Sequence, residues 1–298
     1  MKIQVRELVK SFDGFRALDG LNINVPNGAV YGLVGPNGAG KSTVIRHLAG
    51  IYRQDSGEVL IDGEPVYENT AVKSRIAYIP DEIFYFSQAS LNDMMKFYSS
   101  VYPTFSPERF EKLSEAFELD RKRHIRKFSK GMQKQSAFLL ALSQCPDVVI
   151  LDEPVDGLDP VMRRQVWNIL LGDVAENGTT VIVSSHNLRE LEDVCDHVGI
   201  MDRGKMCIER SLGDLQSSIV KIQLALPDGV SLPDGLEVLH SSSVGRVRQL
   251  ILRGNAEELT AKLYTCAPLL CDILPLSLEE IFIYEMEGAG HEIKNILV

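Results

Sequence analysis

Continuous apolar runs mark the middle of this chain, whereas its start alternates between polar and apolar positions. Residues 29–34 (AVYGLV), 148–151 (VVIL) and 180–184 (TVIVS) are runs of strand length, rich in β-branched side chains. Parallel strands that are buried on both faces have this composition. Residues 3–9 and 21–25 fit antiparallel strands joined by turns. The chain is therefore predicted to be an α/β protein that also carries an antiparallel β subdomain.

The pattern becomes helical between about residues 85 and 145. Lys, Glu, Leu and Phe recur there with few β-branched runs. A further helix is predicted over residues 188–194. The composition changes again near Ser211, where strands, turns, a predicted helix over residues 256–264 and the capping-box spacing of Ser277 and Glu280 suggest a small separate α/β unit. We therefore predict a domain over residues 1–211 with a helical subdomain at about 85–145, and an accessory α/β domain over residues 212–298.

A glycine-rich run lies between the first apolar run and a predicted helix. Its glycines allow backbone N–H groups to turn inward on a phosphate, and the helix N-terminus adds partial positive charge. In this pattern Lys41 would reach the terminal phosphates of a nucleoside triphosphate, and Ser42 would offer its hydroxyl to Mg²⁺. The candidate nucleotide-binding residues are the whole run: Gly35, Pro36, Asn37, Gly38, Ala39, Gly40, Lys41, Ser42 and Thr43.

Two further apolar strands end in residues that suit catalysis. Asp152 and Glu153 follow the run at 148–151, and His186 follows the run at 180–184. Asp152 would hold Mg²⁺ through water, while Glu153 would orient and deprotonate an attacking water molecule. Because ligands bind outside the carboxyl ends of such strands, His186 should share a face with Glu153 and Lys41. Taken alone, His186 could also be an ordinary surface histidine.

A predicted helix and a tight turn complete the set of motifs. Ser129 is a good N-cap for the helix that begins near Gly131, and the N–H groups behind it could hold an anion. An ordinary capped helix is an open alternative for these two residues. Asp159 lies in the turn just after the acid pair.

Together these residues resemble the ATP-binding subunits of ABC transporters. The corresponding segments are GPNGAGKST (Walker A), VVILDEP (Walker B), FSKGM (signature), DGLDP (D-loop) and SSH (switch histidine). The likeness covers residues 1–211 and implies a P-loop NTPase core of the ABC type. It also implies that two subunits clamp two Mg-ATP face to face, so that Ser129, Gly131 and Asp159 serve the partner's nucleotide. Phe12 stands where proteins of this family usually have the aromatic residue that stacks on adenine. Alternatively, Phe12 belongs to the core of the first hairpin.

The chain departs from the family pattern at two places. Asp81 stands where a glutamine is common; as it can still accept from metal-bound water, it joins Ser42 and Asp152 as a candidate metal ligand. In the signature, Lys130 and Met132 replace Gly and Gln, so a working but slow site is expected. Lys130 is either solvated or in contact with phosphate. The aromatic run after Asp81 fits either a groove for the membrane subunit or packing of the helical subdomain on the core.

Composition limits the partners. The formal charge of −10 argues against nucleic acid as a main partner, since phosphate binding favours a basic face. Five cysteines without a CxxC pair suggest reduced thiols in the cytosol. No apolar run reaches the roughly 18 residues of a membrane span, so work at a membrane would need a partner.

The expected function is an ATPase with ATP and Mg²⁺ as cofactors, at the cytoplasmic face of the membrane. Its partners would be a separate permease and a second copy or a paralogous ATPase subunit. The late LEEIF run resembles the tails of exporter subunits and suggests export. The alternatives are a soluble ABC-type ATPase acting on ribosome or DNA, and a small-molecule kinase with the same P-loop. ABC-type ATPases that act on ribosomes usually carry two ATPase units, and those that act on DNA insert long coiled coils; this sequence shows neither feature. The signature motif and His186 argue against the kinase.

Overall fold

The computed structural model describes residues 1–288, apart from the side chains of Phe282 and residues 285–288. The chain forms two compact units. The first comprises Met1–His186 and Val194–Glu209. The second comprises Asn187–Asp193 and the chain from Arg210 onward. The short segment Asn187–Asp193 thus groups with the second unit, whereas the sequence assigned it to the first domain.

The first unit carries most of the secondary structure. In chain order its elements are β1 (Ile3–Phe12), β2 (Phe15–Val25), β3 (Val30–Val34), α1 (Lys41–Leu48), β4 (Ser56–Ile61), β5 (Glu64–Pro65), α2 (Thr70–Lys73), β6 (Ile76–Ile79), α3 (Leu91–Val101), α4 (Pro107–Ala116), α5 (Lys130–Leu142), β7 (Val148–Asp152), α6 (Pro160–Asn177), β8 (Thr180–Ser185), β9 (His197–Asp202) and β10 (Lys205–Ser211), which runs across the unit boundary.

The predicted antiparallel strands at the start of the chain are confirmed. Strands β1 and β2 pair antiparallel and belong to a four-stranded sheet of order β2-β1-β4-β5. Asp13 and Gly14 turn the chain between them, both with positive φ. The buried side chains of β1 are Ile3, Val5 and Leu8; the alternation at Ile3 and Val5 fits a sheet with one face on the core, and the register shifts between Val5 and Leu8.

The predicted parallel sheet is also confirmed. It has six strands in the order β10-β9-β3-β8-β7-β6, with parallel pairing from β9 through β6. Every residue of β3, β7 and β8 is buried, which explains why their sequences are continuous apolar runs. The loops that follow these three strands meet at one edge of the sheet, because parallel strands share their carboxyl ends.

Helix α1 begins directly after the glycine-rich loop. Its N-cap is Gly40, whose φ of 105° is a conformation that residues with a side chain rarely adopt. Val44, Ile45 and Leu48 are fully buried in the core cluster of the first unit. The loop itself must pass close to strand β9, since a Cβ added at Gly35 would lie 2.3 Å from the Met201 carbonyl oxygen. Only glycine allows this path.

Three capped helices form the helical subdomain. Ser90, Ser106 and Ser129 cap α3, α4 and α5 respectively, each accepting from a backbone N–H three residues later. An ion pair joins α4 to α6, where the Arg109 guanidinium donates to both carboxylate oxygens of Asp173. The Asp173 side chain is 8% exposed and that of Arg109 is 25% exposed.

The second unit is an α/β unit, as its sequence pattern suggested. Its elements are α7 (Leu212–Ser218), β11 (Ile219–Ala225), β12 (Glu237–Val244), β13 (Val247–Arg253), α8 (Ala256–Tyr264), β14 (Leu270–Leu274) and α9 (Leu278–Gly288). The strands form an antiparallel sheet of order β12-β13-β11-β14. The predicted helix at 256–264 is confirmed, and so is the capping box of Ser277 and Glu280.

One predicted helix, at 188–194, is wrong. The structure has only a 3₁₀ turn there, Leu188–Glu190. The segment is held instead by the start of α9, where Glu192 accepts from the Leu278 N–H at 2.9 Å and Arg189 pairs with Glu279. These contacts explain why the segment groups with the second unit.

Across residues 1–288, no helix combines the length and the apolar character that crossing a membrane requires. The five cysteines are all free thiols.

Candidate nucleotide-binding site

Lys41 lies buried at the end of the glycine-rich loop, with 6% of its side chain exposed. Its Nζ donates to the Gly35 carbonyl oxygen at 2.7 Å and lies 3.4 Å from that of Pro36. The same atom is 3.5 Å from Oε1 of Glu153. An ammonium group has three donors and no acceptor, and all three of these neighbours are oxygen atoms. The positive charge of Lys41 therefore lies in the space between the loop and Glu153.

A hydroxyl–carboxylate network lies beside Lys41. Ser42 Oγ donates to Oδ1 of Asp152 at 3.1 Å, and Ser184 Oγ donates to the same oxygen at 2.7 Å. Asp152 is 2% exposed. Hydroxyl and carboxylate oxygens are the ligands that Mg²⁺ prefers, so this donor set fits the metal that the sequence predicted. Ser184 was not a predicted site residue, and only its place at the end of a buried strand could have suggested it.

Glu153 directs its carboxylate between two other candidate residues. One oxygen faces Lys41, and the other lies 3.0 Å from Nδ1 of His186. The backbone of Glu153 has a φ of 46°, in the left-handed region, and its N–H donates to Ser184 Oγ at 3.1 Å. A residue held in this uncommon conformation beside a cleft is a typical feature of functional sites.

The glycine-rich loop lines a cleft of 410 Å³. Seven residues of the predicted run face it, together with Asp81 and Glu153: Pro36, Asn37, Gly38, Gly40, Lys41, Ser42 and Thr43. Gly35 and Ala39 are not among the lining residues. Ala39 is buried, and Gly35 contributes the carbonyl oxygen that holds Lys41.

Two aromatic side chains also line this cleft. Phe12 is 38% exposed and packs edge-on against Tyr52, with ring centroids 5.4 Å apart. It is therefore a surface residue, not a core residue of the hairpin. Phe15, which is 69% exposed, lies opposite Phe12 across the hairpin turn and also lines the cleft. The sequence analysis missed Phe15, although its place beside the Asp-Gly turn was a usable signal.

Asp81 borders both the nucleotide cleft and a neighbouring cleft of 320 Å³. Ser42 and Asp152 line this second cleft as well, so the three candidate metal ligands share one space. The Asp81 side chain is 58% exposed, and its Oδ1 lies 3.8 Å from Nζ of Lys134. Lys134 was not identified from the sequence.

The signature and D-loop residues do not line the cleft that holds Lys41. Ser129 caps α5 and accepts from the Met132 N–H at 3.2 Å. Asp159 caps α6 and accepts from two backbone N–H groups. The two motifs neighbour each other, since a Cβ on Gly131 would lie 3.6 Å from the Gly157 carbonyl oxygen. Within one chain, Ser129, Gly131 and Asp159 therefore lie outside the candidate nucleotide site.

His47 lies on the buried face of α1, one turn after Thr43. The Nδ1–H of its ring donates to the Thr43 carbonyl oxygen at 2.7 Å. Burial lowers the pKa of His47, because the charged ring would lose its hydration. The neutral ring is thus part of the packing around α1, where it lies edge-on to Tyr52 with ring centroids 5.7 Å apart.

The family model described as ABC transporter matches residues 18–156. The ABC transporter ATP-binding protein YtrB of Bacillus subtilis is 29% identical, over 96% of this chain and 98% of that protein. The daunorubicin/doxorubicin resistance ATP-binding protein DrrA of Streptomyces peucetius is 35% identical, over 82% of this chain and 76% of that protein.

Solved structures agree with the sequence relatives. An ATP-binding subunit of an ABC transporter is 26% identical and superposes with a TM-score of 0.68, over 72% of this chain and 92% of that one. A dimeric ATP-binding cassette bound to ADP and phosphate is 21% identical and shares the fold, with a TM-score of 0.64 over 70% of this chain and 98% of that one. This chain belongs to the family of ABC transporter ATP-binding proteins, which are nucleotide-binding ATPases.

Proposed function

We propose that this chain hydrolyses Mg-ATP in a dimer and thereby drives a separate membrane permease, in the direction of export. The observation that carries this proposal is the position of Glu153. Its two carboxylate oxygens face Lys41 and His186 at the carboxyl edge of the parallel sheet. A base, a cation and an orienting histidine thus meet where the γ-phosphate of ATP would lie.

Each residue then has a definite part in the reaction. The loop N–H groups and Lys41 hold the phosphates, and Phe12 stacks on adenine, with Phe15 beside it. Ser42 and Asp152 would hold Mg²⁺, and Asp81, which borders the same cleft, could contribute a further oxygen. When bound, Mg²⁺ supplies charge neutralisation for the phosphates. Glu153 accepts the proton of the attacking water, and His186 holds the carboxylate of Glu153 in the orientation that this transfer requires.

The nucleotide cleft is half of a site. Ser129, Gly131 and Asp159 lie outside it, while the N–H groups at the start of α5 are suited to an anion. We propose that these residues contact the ATP held by a second chain, whose own signature closes the first cleft. The dimeric form of a cassette with the same fold supports this arrangement.

Exposed aromatic residues support a protein partner on the helical subdomain. Phe84 is 77% exposed and Phe86 is 53% exposed, and Phe86 packs edge-on against Phe97. Tyr85, between them, is buried and donates to the Gln133 carbonyl oxygen at 2.8 Å. The run after Asp81 therefore both packs on the subdomain and leaves large apolar side chains outside. Aromatic anchors of this kind suit a cytoplasmic segment of the permease.

The direction of transport rests on the relatives. DrrA is named for resistance to daunorubicin and doxorubicin, and a 32% identical relative in Escherichia coli is named as a probable multidrug protein. These names favour export. The corresponding place of action is the cytoplasmic face of the membrane.

Site-specific photo-crosslinking in cells tests the permease partner. A crosslinking amino acid at Phe84 should capture a protein with several membrane-spanning segments. The matched control is Val244, which is 85% exposed and lies in the second unit. Capture of a ribosomal or DNA-bound protein at Phe84, or equal capture at both positions, would contradict the proposal.

A further inference from the structure

Lys134 makes two contacts that none of the family motifs assigns. It lies in the second turn of α5, five positions after the N-cap Ser129, and its side chain is 12% exposed. Its Nζ donates to the Glu153 carbonyl oxygen at 3.0 Å and lies 3.8 Å from Oδ1 of Asp81. A largely buried ammonium thus joins the signature helix to two residues at the nucleotide cleft.

The contact with Glu153 bears on the direction of its side chain. Glu153 has a φ of 46°, a conformation that is unfavourable for a residue with a side chain unless its surroundings hold it. Both of its backbone groups are held. Ser184 accepts from the N–H, and Lys134 donates to the carbonyl oxygen. These two bonds fix the peptide planes on either side of Glu153. They therefore also fix the direction in which its side chain extends toward Lys41 and His186.

The contact with Asp81 concerns charge. Asp81 stands where the family commonly has a neutral glutamine, and it borders the same cleft as Ser42 and Asp152. Two carboxylates that face one cleft repel each other unless a cation lies between or beside them. Lys134 supplies that cation from within the chain. The positive charge of Lys134 therefore compensates the negative charge of Asp81.

We propose that Lys134 is a positioning residue for hydrolysis, which holds Glu153 in its catalytic conformation and balances the charge of Asp81. This inference rests on the proposed function, in which Glu153 is the base. Because Ser129 begins the same helix and would face the partner's nucleotide, Lys134 makes the catalytic geometry of each chain depend on the position of its own signature helix.

The test is the steady-state ATPase activity and the Mg-ATP affinity of the full chain with Lys134→Gln and Lys134→Arg. Loss of a charged hydrogen bond should lower kcat about tenfold or more in Lys134→Gln, while KM and the Kd for Mg-ATP change less than about threefold. Lys134→Arg keeps the charge and should recover part of kcat. The matched control is Lys122→Gln, at an exposed lysine of the same subdomain, which should leave kcat unchanged.

A double-mutant cycle separates this role from a general loss of packing. Asp81→Asn in the Lys134→Gln background should restore part of kcat, because no unbalanced carboxylate then remains at the cleft. Unchanged kcat in Lys134→Gln, or strictly additive effects with Asp81→Asn, would overturn the inference. Glu153→Gln is measured alongside. Full activity in that variant would refute the proposed function itself, whereas lost activity there with normal activity in Lys134→Gln would refute only the role of Lys134.

Discussion

The Nδ1 atom of His186 lies 3.0 Å from Oε2 of Glu153, although 33 positions separate the two residues along the chain. The pairing of two strands explains this closeness. Strands β7 and β8 are parallel neighbours in which Asp152 lies opposite Ser184. Glu153 comes one position after Asp152, and His186 comes two positions after Ser184. The side chains of Glu153 and His186 therefore meet at the carboxyl ends of the two strands.

This contact predicts that His186→Ala loses turnover but keeps nucleotide affinity. Without the imidazole, the carboxylate of Glu153 keeps its contact with Lys41 but loses the contact with His186 that orients it. The expected fall in kcat is on the order of a hundredfold. Equilibrium binding of a fluorescent ATP analogue and steady-state hydrolysis measure the two properties separately. A variant with normal kcat would show that another group orients Glu153.

The loss of folding stability at acidic pH should depend on His47. Its pKa is lowered in the folded state, so below the ordinary value of about 6.5 the unfolded chain binds a proton that the folded chain does not. Stability should therefore fall as the pH decreases from about 6.5 toward the folded pKa, by up to about 1.4 kcal/mol per pH unit. His47→Gln removes this contribution.

The measurement is urea unfolding of both proteins at about pH 7.5 and about pH 5.5. The wild-type chain should lose more stability between the two conditions than His47→Gln does. An equal loss in both proteins would mean that other groups carry the acid sensitivity.

Breaking the Arg109–Asp173 pair should destabilise the first unit. Asp173→Ala leaves the guanidinium largely buried without its partner, which costs about 3 kcal/mol for pairs of this kind. The midpoint of thermal unfolding should fall accordingly. The control is Glu108→Gln, which breaks the exposed pair of Glu108 and Lys112 on the same helix and should leave the midpoint unchanged. Equal midpoints for the two variants would contradict this account.

The parts of the fold that the sequence predicted well are those with a strong local pattern. Continuous apolar runs gave β3, β7 and β8, because strands buried on both faces tolerate few polar residues. The exposed edge strand β12 escaped prediction, since only one of its eight residues is even half-buried. The segment at 188–194 looked helical in composition, yet contacts with Leu278 and Glu279 hold it as a 3₁₀ turn and an irregular segment.

The residues of the candidate site also differ in how far the sequence alone could predict them. Lys41, Glu153 and His186 could be found because each follows a recognisable strand or loop. Phe15 was missed although it lies beside a recognisable turn, whereas the roles of Ser184 and Lys134 depend on which elements become neighbours. Ser184 matters through the pairing of β7 with β8, and Lys134 through the packing of α5 beside the loop after β7.

The central claim is that two chains clamp ATP between the Walker A loop of one and the signature of the other. The most direct test is the solution mass of Glu153→Gln, measured by light scattering with and without Mg-ATP. This variant should bind ATP without hydrolysing it, so the account predicts a monomer alone and a dimer with Mg-ATP. A monomer that persists at saturating Mg-ATP would contradict the face-to-face dimer of this chain.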